Sequence, residues 1–546
     1  MNTVAILFGL LVVSAVSASP TERYVVAMER GVAAHRATAI LRDIDVAPAK
    51  ARAVVEFRRL DAFAADLTAG EARRLRASKD VRYVERVSER RILSVPDRLS
   101  TNVWRNLEGQ TIPAGIDRVH ARDVWSVTRG AQINVAVIDT GVDYLHPDLA
   151  GIYAGGYNAI AQSADPMDDH DHGTHVAGII AAADNNLGVV GIAPNVRLWA
   201  VKAMRGTGAG QTDDIVAAID WVIGKKRELG GKWIMNLSFG SQERNAAEED
   251  AVANAISEGI LVIAGSGNDS TESAPMPVAY PAAYPGVLAI GAVDESLRHA
   301  PFSNGGTQLA AVAPGVDVLS TIRRSRGILA TVIDGSNASD ATPLDAAGKG
   351  TVTAAAIYCG IGRQSDFPPS VAGNIAIIRR GGDIPFGEKT RRAKAAGARA
   401  VVFVDYAEST DHRFSLLDDG GGPFDWPVAV TLANTDGERL IVNAGATITV
   451  ANLVDDYGVK TGTSMAAPHA TGAAALAWSI APDATPADVM WALRAAATDI
   501  GAPGPDLTFG FGVINALDAA KLLNPGAFGL PEPPPTGRRV LRRGRR

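Results

Sequence analysis

The sequence predicts a doubly wound, mainly parallel α/β sheet, and two observations support this fold class. Residues 133–138 form a nearly continuous apolar run, which is typical of a parallel strand that helices cover on both faces. Similar runs recur along the chain, and helical segments such as 212–229 and 246–258 separate most of them. Further strands are predicted at residues 196–202, 233–237, 260–264 and 287–293.

Composition narrows the class of protein. A chain of 546 residues is long enough for several domains with a large core. Its net charge of −6 gives no basic field that would attract nucleic acid, and no run after the N-terminus is long enough to span a bilayer. The single cysteine, Cys359, excludes an intrachain disulfide framework. We interpret it as a buried small hydrophobe, with pairing between molecules as the alternative.

The N-terminus has the pattern of an export signal. Residues 4–16 are apolar, and Val16-Ser17-Ala18 is a small-residue cleavage pattern. We therefore expect a signal peptide over residues 1–18 and a secreted protein, extracellular or in the cell envelope. An N-terminal membrane anchor is the alternative.

Residues 19–100 form a compositional block that predicts a small α+β module. Its strands are predicted at residues 24–28, 54–57 and 81–85. Thr68 and Glu71 have the spacing of a capping box at the start of an Arg-rich helix. We interpret the block, with its Arg-rich stretch 86–98, as a removable pro-segment and linker. A permanent accessory domain is the alternative.

Two polar residues lie at the carboxyl ends of predicted strands, where a parallel sheet places its functional groups, and two more lie at the starts of predicted helices. Asp139 directly follows one predicted strand, and Asn268 follows another. His172 and Ser464 each precede small and apolar residues that predict a buried helix. A serine nucleophile needs a base to take its proton, and the base needs a carboxylate to orient it. An amide such as Asn268 can stabilise a tetrahedral oxyanion.

Three motifs around these residues resemble those of the subtilisin-like serine protease (subtilase) family. They are Asp-Thr-Gly at 139–141, His-Gly-Thr-His-Val-Ala-Gly at 172–178 and Gly-Thr-Ser-Met-Ala-Ala-Pro-His at 462–469. The resemblance spans residues 107–322 and 457–525, which we expect to form a subtilisin-like catalytic domain. It implies a secreted serine endopeptidase, a hydrolase that cleaves protein or peptide substrates through an acyl-enzyme intermediate.

The resemblance also implies a role for each residue. Asp139 would be the orienting acid, His172 the general base and acid, and Ser464 the nucleophile. The side chain of Asn268 and the backbone N–H of Ser464 would stabilise the oxyanion. The block at 19–100 would act as the enzyme's own inhibitor and folding chaperone.

By the same resemblance, two edge segments would hold an extended peptide by strand addition. The residues implied are Ser238, Phe239, Gly240, Gly208 and Gly210. Few charges lie near residues 237–241 and 279–281. We therefore expect a broad, apolar preference for the residue before the cleaved bond, P1.

A structural calcium ion is implied in the same way, and no organic cofactor is expected. Side-chain oxygens would come from Gln110, Asp148 and Asn185, and backbone carbonyls from Ala183, Leu187 and Val189. Such oxygen-only ligation suits a hard cation. The resemblance also implies that the mature chain begins shortly before Gln110. An Asn-rich turn that needs no metal is the alternative.

A long segment separates His172 from Ser464. Residues 325–455 carry their own strands and a basic helix, and they resemble the protease-associated domain that is inserted here in some subtilases. Its role would be to shape substrate approach or to bind protein substrates, with a tolerated surface insertion as the alternative. Residues 526–546 are rich in Pro and Arg, which predicts a disordered tail.

Two other functions stay open from sequence alone. His170, His172 and His175 have a spacing that suits a metallohydrolase site. A non-catalytic binding protein is the other possibility.

Overall fold

The computed structural model describes residues 20–29, 37–43, 54–95, 109–406, 414–417 and 424–531. The chain divides into two compact units, Met1–Ser88 and Glu89–Arg546. The predicted signal peptide and residues 532–546 of the predicted tail lie outside the described residues. The start of that tail was predicted too early, because Pro525–Phe528 form a 3₁₀ turn.

The first unit is a small α+β module, as the sequence predicts. Its elements are β1 (Thr21–Met28), α1 (Ala37–Asp43), β2 (Val55–Phe57), β3 (Ala62–Thr68), α2 (Ala69–Arg76) and β4 (Val81–Arg86). The strands pair antiparallel in the order β2-β3-β1-β4. Thr68 and Glu71 form the predicted capping box at the start of α2, so the first turn of that helix has its backbone donors satisfied. Met28, Leu41 and Phe63 are buried in the core of the module.

The second unit begins with alternating strands and helices. Up to residue 321 its elements are β5 (Glu89–Ile92), α3 (Ala114–Arg118), a 3₁₀ turn (Arg122–Val124), β6 (Ile133–Asp139), β7 (Tyr153–Asn158), α4 (His172–Ala181), β8 (Arg197–Lys202), β9 (Ala209–Gln211), α5 (Thr212–Leu229), β10 (Lys232–Leu237), β11 (Phe239–Gly240), α6 (Ala246–Ser257), β12 (Ile260–Gly265), β13 (Leu288–Val293), β14 (Leu309–Pro314) and β15 (Val318–Thr321).

The main sheet of this unit is parallel throughout its described strands. They pair in the order β14-β13-β12-β10-β6-β8-β7. β6, β12, β13 and β14 are buried along their whole length, as expected when both faces are covered. The five strands predicted for this sheet begin and end within one residue of those observed, and the doubly wound fold class is confirmed.

A mixed sheet follows at the place of the predicted insertion. Its elements are β16 (Gly327–Asp334), β17 (Asn337–Asp340), β18 (Thr342–Pro343), β19 (Gly350–Tyr358), 3₁₀ turns (Gln364–Asp366 and Pro369–Val371), β20 (Ile375–Arg379), α7 (Phe386–Ala395), β21 (Ala400–Val404), β22 (Val428–Leu432), α8 (Asn434–Val442) and β23 (Thr447–Asp455). The strands pair in the order β17-β16-β23-β19-β20-β21-β22-β18. Cys359 is buried here, and burial raises the pKa of its thiol to about 12, so the thiol stays neutral.

The chain then returns to the main sheet. The last elements are β24 (Tyr457–Lys460), α9 (Thr463–Ser479), α10 (Pro486–Ala495), α11 (Ala516–Leu523) and a 3₁₀ turn (Pro525–Phe528). β24 pairs antiparallel with β15, and Thr321 lies opposite Tyr457. The inserted segment therefore leaves and re-enters at adjacent positions, so it need not disturb the parallel sheet. No helix in the described part of the chain is both long and apolar enough to cross a membrane.

Candidate active site

Asp139 and His172 meet at the carboxyl edge of the sheet. Asp139 ends β6 and His172 begins α4, and both side chains are fully buried. Nδ1 of His172 lies 2.7 Å from Oδ1 of Asp139, which also accepts the backbone N–H of Thr140 at 2.7 Å. The carboxylate therefore fixes the orientation of the imidazole and would stabilise it when protonated. Nε2 of His172 is buried and has no hydrogen-bond partner among the described residues.

Ser464 lies in the first turn of α9, and Ser238 holds it on two sides. The hydroxyl of Ser464 donates to the Ser238 carbonyl at 2.7 Å, and the hydroxyl of Ser238 donates to the Ser464 carbonyl at 3.0 Å. The second bond has a clear cause. Pro468, four residues further on, has no N–H to give that carbonyl. The Ser464 hydroxyl thus faces Ser238 in this state.

Asn268 presents a free amide donor beside Ser464. Its Oδ1 accepts from the backbone N–H and the hydroxyl of Thr463, at 3.0 and 2.8 Å. This fixes the amide so that Nδ2 faces the other way, where it is buried with no partner in the described structure. A Cβ at Gly462 (φ +151°) would lie 2.9 Å from this Nδ2 and 2.1 Å from the carbonyl oxygen of Leu93. Glycine is therefore required here, because a peptide carbonyl and the donor converge on that space.

A strand of the chain itself, β5, lies between the short strands β9 and β11, and we call the space between those two strands the cleft. β5 pairs antiparallel with β9 on one side and with β11 on the other. Each of the five residues predicted to bind peptide contacts it. Phe239 and Gly240 form β11, Gly210 lies opposite Arg90, and the carbonyls of Gly208 and Ser238 accept backbone N–H groups of residues 92 and 93 at 3.0 and 3.1 Å.

Leu93 is fixed at both of its backbone groups. Its N–H donates to Ser238, and its carbonyl accepts the backbone N–H of Ser464 at 3.1 Å. The chain continues past the serine, where the N–H of Val95 donates to Thr461 at 2.9 Å. The peptide bond between Leu93 and Ser94 therefore lies next to Ser464. The sequence had indicated only a polar, Arg-rich linker here.

The predicted histidine cluster does not form a common ligand set. Nε2 of His175 contacts the carbonyls of Val318 and Gly458, at 2.9 and 3.1 Å, and burial lowers its pKa well below the usual value. His172 instead faces Asp139. Among the described residues, no group of three or more His, Cys, Asp or Glu side chains is arranged to hold a metal ion. The geometry therefore does not favour a metallohydrolase site at His170, His172 and His175.

The residues predicted to bind calcium do lie together. Asp148 is buried, and its two carboxylate oxygens accept from Asn185 Nδ2 at 3.0 Å and from the Val189 N–H at 3.1 Å. The amide of Gln110 contacts the carbonyls of Ala183 and Val189, at 2.7 and 3.0 Å. The sixth residue, Leu187, donates its N–H to Asn185 Oδ1 at 2.9 Å.

Sequence reasoning missed one buried pair at the cleft. Arg90 of β5 and Glu248 of α6 form an ion pair at 2.8 Å, and neither side chain is exposed. Glu248 lies in Ala-Ala-Glu-Glu-Asp, where nothing local separates it from its acidic neighbours. The only available signal was an arginine within an otherwise strand-compatible stretch, Arg90 to Leu93.

Comparisons with known proteins agree with this architecture. The profile of the subtilase family matches residues 130–358 and 421–512, and that of the PA domain matches 338–440. The chain is 36% identical to subtilisin E of Bacillus subtilis (strain 168) over 269 residues, 49% of this chain and 65% of that protein. It is 33% identical to subtilisin J of Geobacillus stearothermophilus over 318 residues, 58% of this chain and 77% of the relative.

A solved structure shows the same fold. It is the psychrophilic subtilisin-like protease Apa1 from the Antarctic psychrotroph Pseudoalteromonas sp. AS-11, with a TM-score of 0.55 and 29% sequence identity. The match covers 77% of this chain and 99% of the Apa1 chain. The aligned region spans slightly less than two thirds of the length of subtilisin E. The chain belongs to the subtilase family and contains a PA domain.

Proposed function

We propose that this protein is a secreted serine endopeptidase in which Asp139, His172 and Ser464 form the catalytic triad. One observation supports this most strongly. A peptide carbonyl, that of Leu93, accepts the backbone N–H of Ser464 at 3.1 Å, at the start of a helix that packs against the helix beginning with His172. A binding protein would have no need of an orphaned buried nitrogen on the His172 imidazole together with a free amide donor on Asn268.

The reaction follows from these positions. Ser464 Oγ turns from Ser238 to His172 Nε2, gives up its proton there and attacks the carbonyl carbon. The developing oxyanion is stabilised by the Ser464 N–H and by Nδ2 of Asn268, which is already desolvated and fixed by Thr463. The C–N bond breaks as His172 returns the proton to the leaving amine. Water then releases the acyl group by the same steps.

The first substrate would be the chain itself. The bond held at Ser464 joins Leu93 to Ser94, so the acyl group would end at Leu93 and the new amine would be that of Ser94. Residues before Ser94 would then act as inhibitor and folding chaperone. Leu93 is apolar and only 7% exposed, which supports an apolar P1 preference. This first cut precedes the predicted mature start near Gln110.

A structural calcium ion would bind at Gln110, Asp148, Asn185 and the carbonyls of Ala183, Leu187 and Val189. The donor set fits, because a single turn of the Gln110 amide would direct its oxygen at the space beside two of those carbonyls. A bound ion would offset the buried charge of Asp148 and link residue 110 to the loop at 183–189.

The proposed function is tested by the intact mass of the full-length chain and its Ser464→Ala variant. The native chain should shorten to a form that begins at Ser94, whereas the variant should keep its full pro-segment. Ser257→Ala, which removes an exposed hydroxyl at the end of α6, should be processed like the native chain. Normal processing of Ser464→Ala in the absence of other proteases would refute the proposal.

A further inference from the structure

The bound strand β5 also indicates which substrate side chains determine the selectivity of the cleft. Its main chain is held by hydrogen bonds that any peptide can make, so selectivity must come from the side chains. Counting back from the Leu93–Ser94 bond, Leu93 is P1, Ile92 is P2, Arg91 is P3 and Arg90 is P4. Arg91 is exposed to solvent, whereas Arg90 is fully buried.

Arg90 enters a pocket that ends in a carboxylate. Its Nε lies 3.2 and 3.1 Å from the two carboxylate oxygens of Glu248, and its Nη2 lies 2.8 Å from Oε2. This is the two-pronged geometry that a planar guanidinium makes and that a lysine ammonium cannot reproduce. Among the described residues, it is the ion pair of an arginine or lysine with a carboxylate in which both side chains are fully buried.

Groups other than Arg90 also contact Glu248. Glu248 lies in the first turn of α6, where Asn245 caps the backbone N–H groups of Ala247 and Glu248, and a carboxylate is favoured at a helix N-terminus. The hydroxyl of Tyr284 lies 2.9 Å from Glu248 Oε2 and 2.9 Å from the Asn245 carbonyl. The Tyr284 hydroxyl thus contacts the carboxylate in addition to Arg90, and the start of α6 favours its charge.

Burial of the Glu248 carboxylate makes the pocket selective for a positively charged P4 side chain. A carboxylate with no solvent exposure is strongly destabilised unless a cation pairs with it. An apolar P4 side chain would seal the pocket and leave Glu248 unpaired, whereas an arginine would neutralise it. Burial of Glu248 should therefore weaken the binding of every peptide that has an uncharged side chain at P4.

We infer that Glu248 is a specificity-determining residue that selects substrates with arginine at P4. This inference rests on the proposed function and adds a substrate class to it: extended peptides with an apolar P1 and an arginine three residues before it. The pro-segment, through Arg90, already carries this recognition sequence.

The test compares two fluorogenic peptides, acetyl-Arg-Arg-Ile-Leu and acetyl-Leu-Arg-Ile-Leu aminomethylcoumarin, on the enzyme processed from its full-length chain. The native enzyme should prefer the P4-arginine peptide by about 100-fold in kcat/KM, and Glu248→Gln should reduce that ratio to below about 10-fold. The ratio does not depend on the active fraction, so partial misfolding of the variant does not affect it. Glu249→Gln, the next residue on α6, should keep the native ratio.

The outcomes separate the two proposals. Hydrolysis of both peptides at equal kcat/KM, or an unchanged ratio in Glu248→Gln, would overturn the P4 inference and leave the protease intact. Failure of the native enzyme to hydrolyse either peptide, or to label with a fluorophosphonate, would overturn the proposed function and the inference with it.

Discussion

The backbone N–H of Ser464 donates to the carbonyl oxygen of Leu93, and this single bond relates the start of α9 to the strand that precedes the catalytic domain. It places an intact peptide bond of the chain against the proposed nucleophile. Together with the N–H of Leu93 on Ser238, it fixes the position of that bond to one residue. These two hydrogen bonds therefore identify Leu93–Ser94 as the peptide bond that should be cut first.

Processing should expose Ser94. N-terminal sequencing of the freshly processed chain should read Ser-Val-Pro, from residues 94–96. Leu93→Asp should slow this cut strongly, because it would bury a carboxylate at an apolar position. Ser88→Asp, outside the held strand, should process at the native rate. A first cut elsewhere in residues 86–110 would contradict the assignment of the bond.

Asn268→Ala should lower kcat far more than it changes KM. The Nδ2 atom of Asn268 has no partner in this structure and would gain one only as the oxyanion forms. Its loss should therefore raise the activation barrier and leave the affinity for substrate nearly unchanged. A single oxyanion donor contributes about 3 kcal/mol, which corresponds to roughly 100- to 1,000-fold in kcat. Asn195→Ala, at an exposed position, is the matched control. Equal kcat in Asn268→Ala and the control would refute the role.

Calcium should raise the thermal midpoint, Tm, of the chain. A ligand that binds only the folded state at 100 times its Kd stabilises by about 2.7 kcal/mol. The comparison is best made in the Ser464→Ala background, where self-digestion does not interfere. The gain in Tm should vanish in Asp148→Asn and persist in Asp184→Asn, because Asp184 pairs instead with Arg129. A native Tm that is indifferent to both calcium and chelator would contradict the site.

Acid should destabilise the fold partly through His469. Burial lowers the pKa of this ring to about 4, and its Nδ1 lies 2.7 Å from the Met465 carbonyl. Between about pH 6.5 and pH 4 the unfolded chain binds a proton here that the folded chain does not, so stability falls as pH falls through that window. By pH 5 the loss from this residue should be about 2 kcal/mol.

The variant His469→Gln cannot take up that proton. Its free energy of unfolding, measured by urea denaturation in the Ser464→Ala background, should fall less than that of the parent between pH 7 and pH 5. The comparison uses the difference in slope, so a constant loss of stability in the variant does not affect it. Parallel pH curves for the two chains would contradict the assignment.

Local sequence patterns were sufficient to locate the proposed catalytic residues and the parallel strands. Asp139 follows an apolar run, and His172 and Ser464 open helices of small residues, so each could be located without knowing what it touches. The parallel strands were found for the same reason: burial on both faces leaves a continuous apolar run. The calcium and peptide-binding residues came from the family resemblance instead, since β9 and β11 are too short to show a period.

What the sequence could not show depends on contacts between distant segments. β5 is a strand because it lies between β9 and β11, not because residues 89–92 alternate in polarity. Glu248 pairs with Arg90, which reaches it from that strand, whereas its neighbour Glu249 has the same local sequence and pairs with Arg244. The orientation of the Ser464 hydroxyl toward Ser238 is a rotamer, which no residue pattern specifies.

The central claim, that Ser464 is the nucleophile, is tested most directly by covalent labelling. The processed enzyme is treated with a fluorophosphonate, and the labelled residue is identified by tandem mass spectrometry of its peptides. The proposed function predicts one label per molecule, on Ser464, with peptide hydrolysis lost in proportion to labelling. Full hydrolysis by enzyme that carries one label per molecule, or a label on a residue other than Ser464, would contradict it.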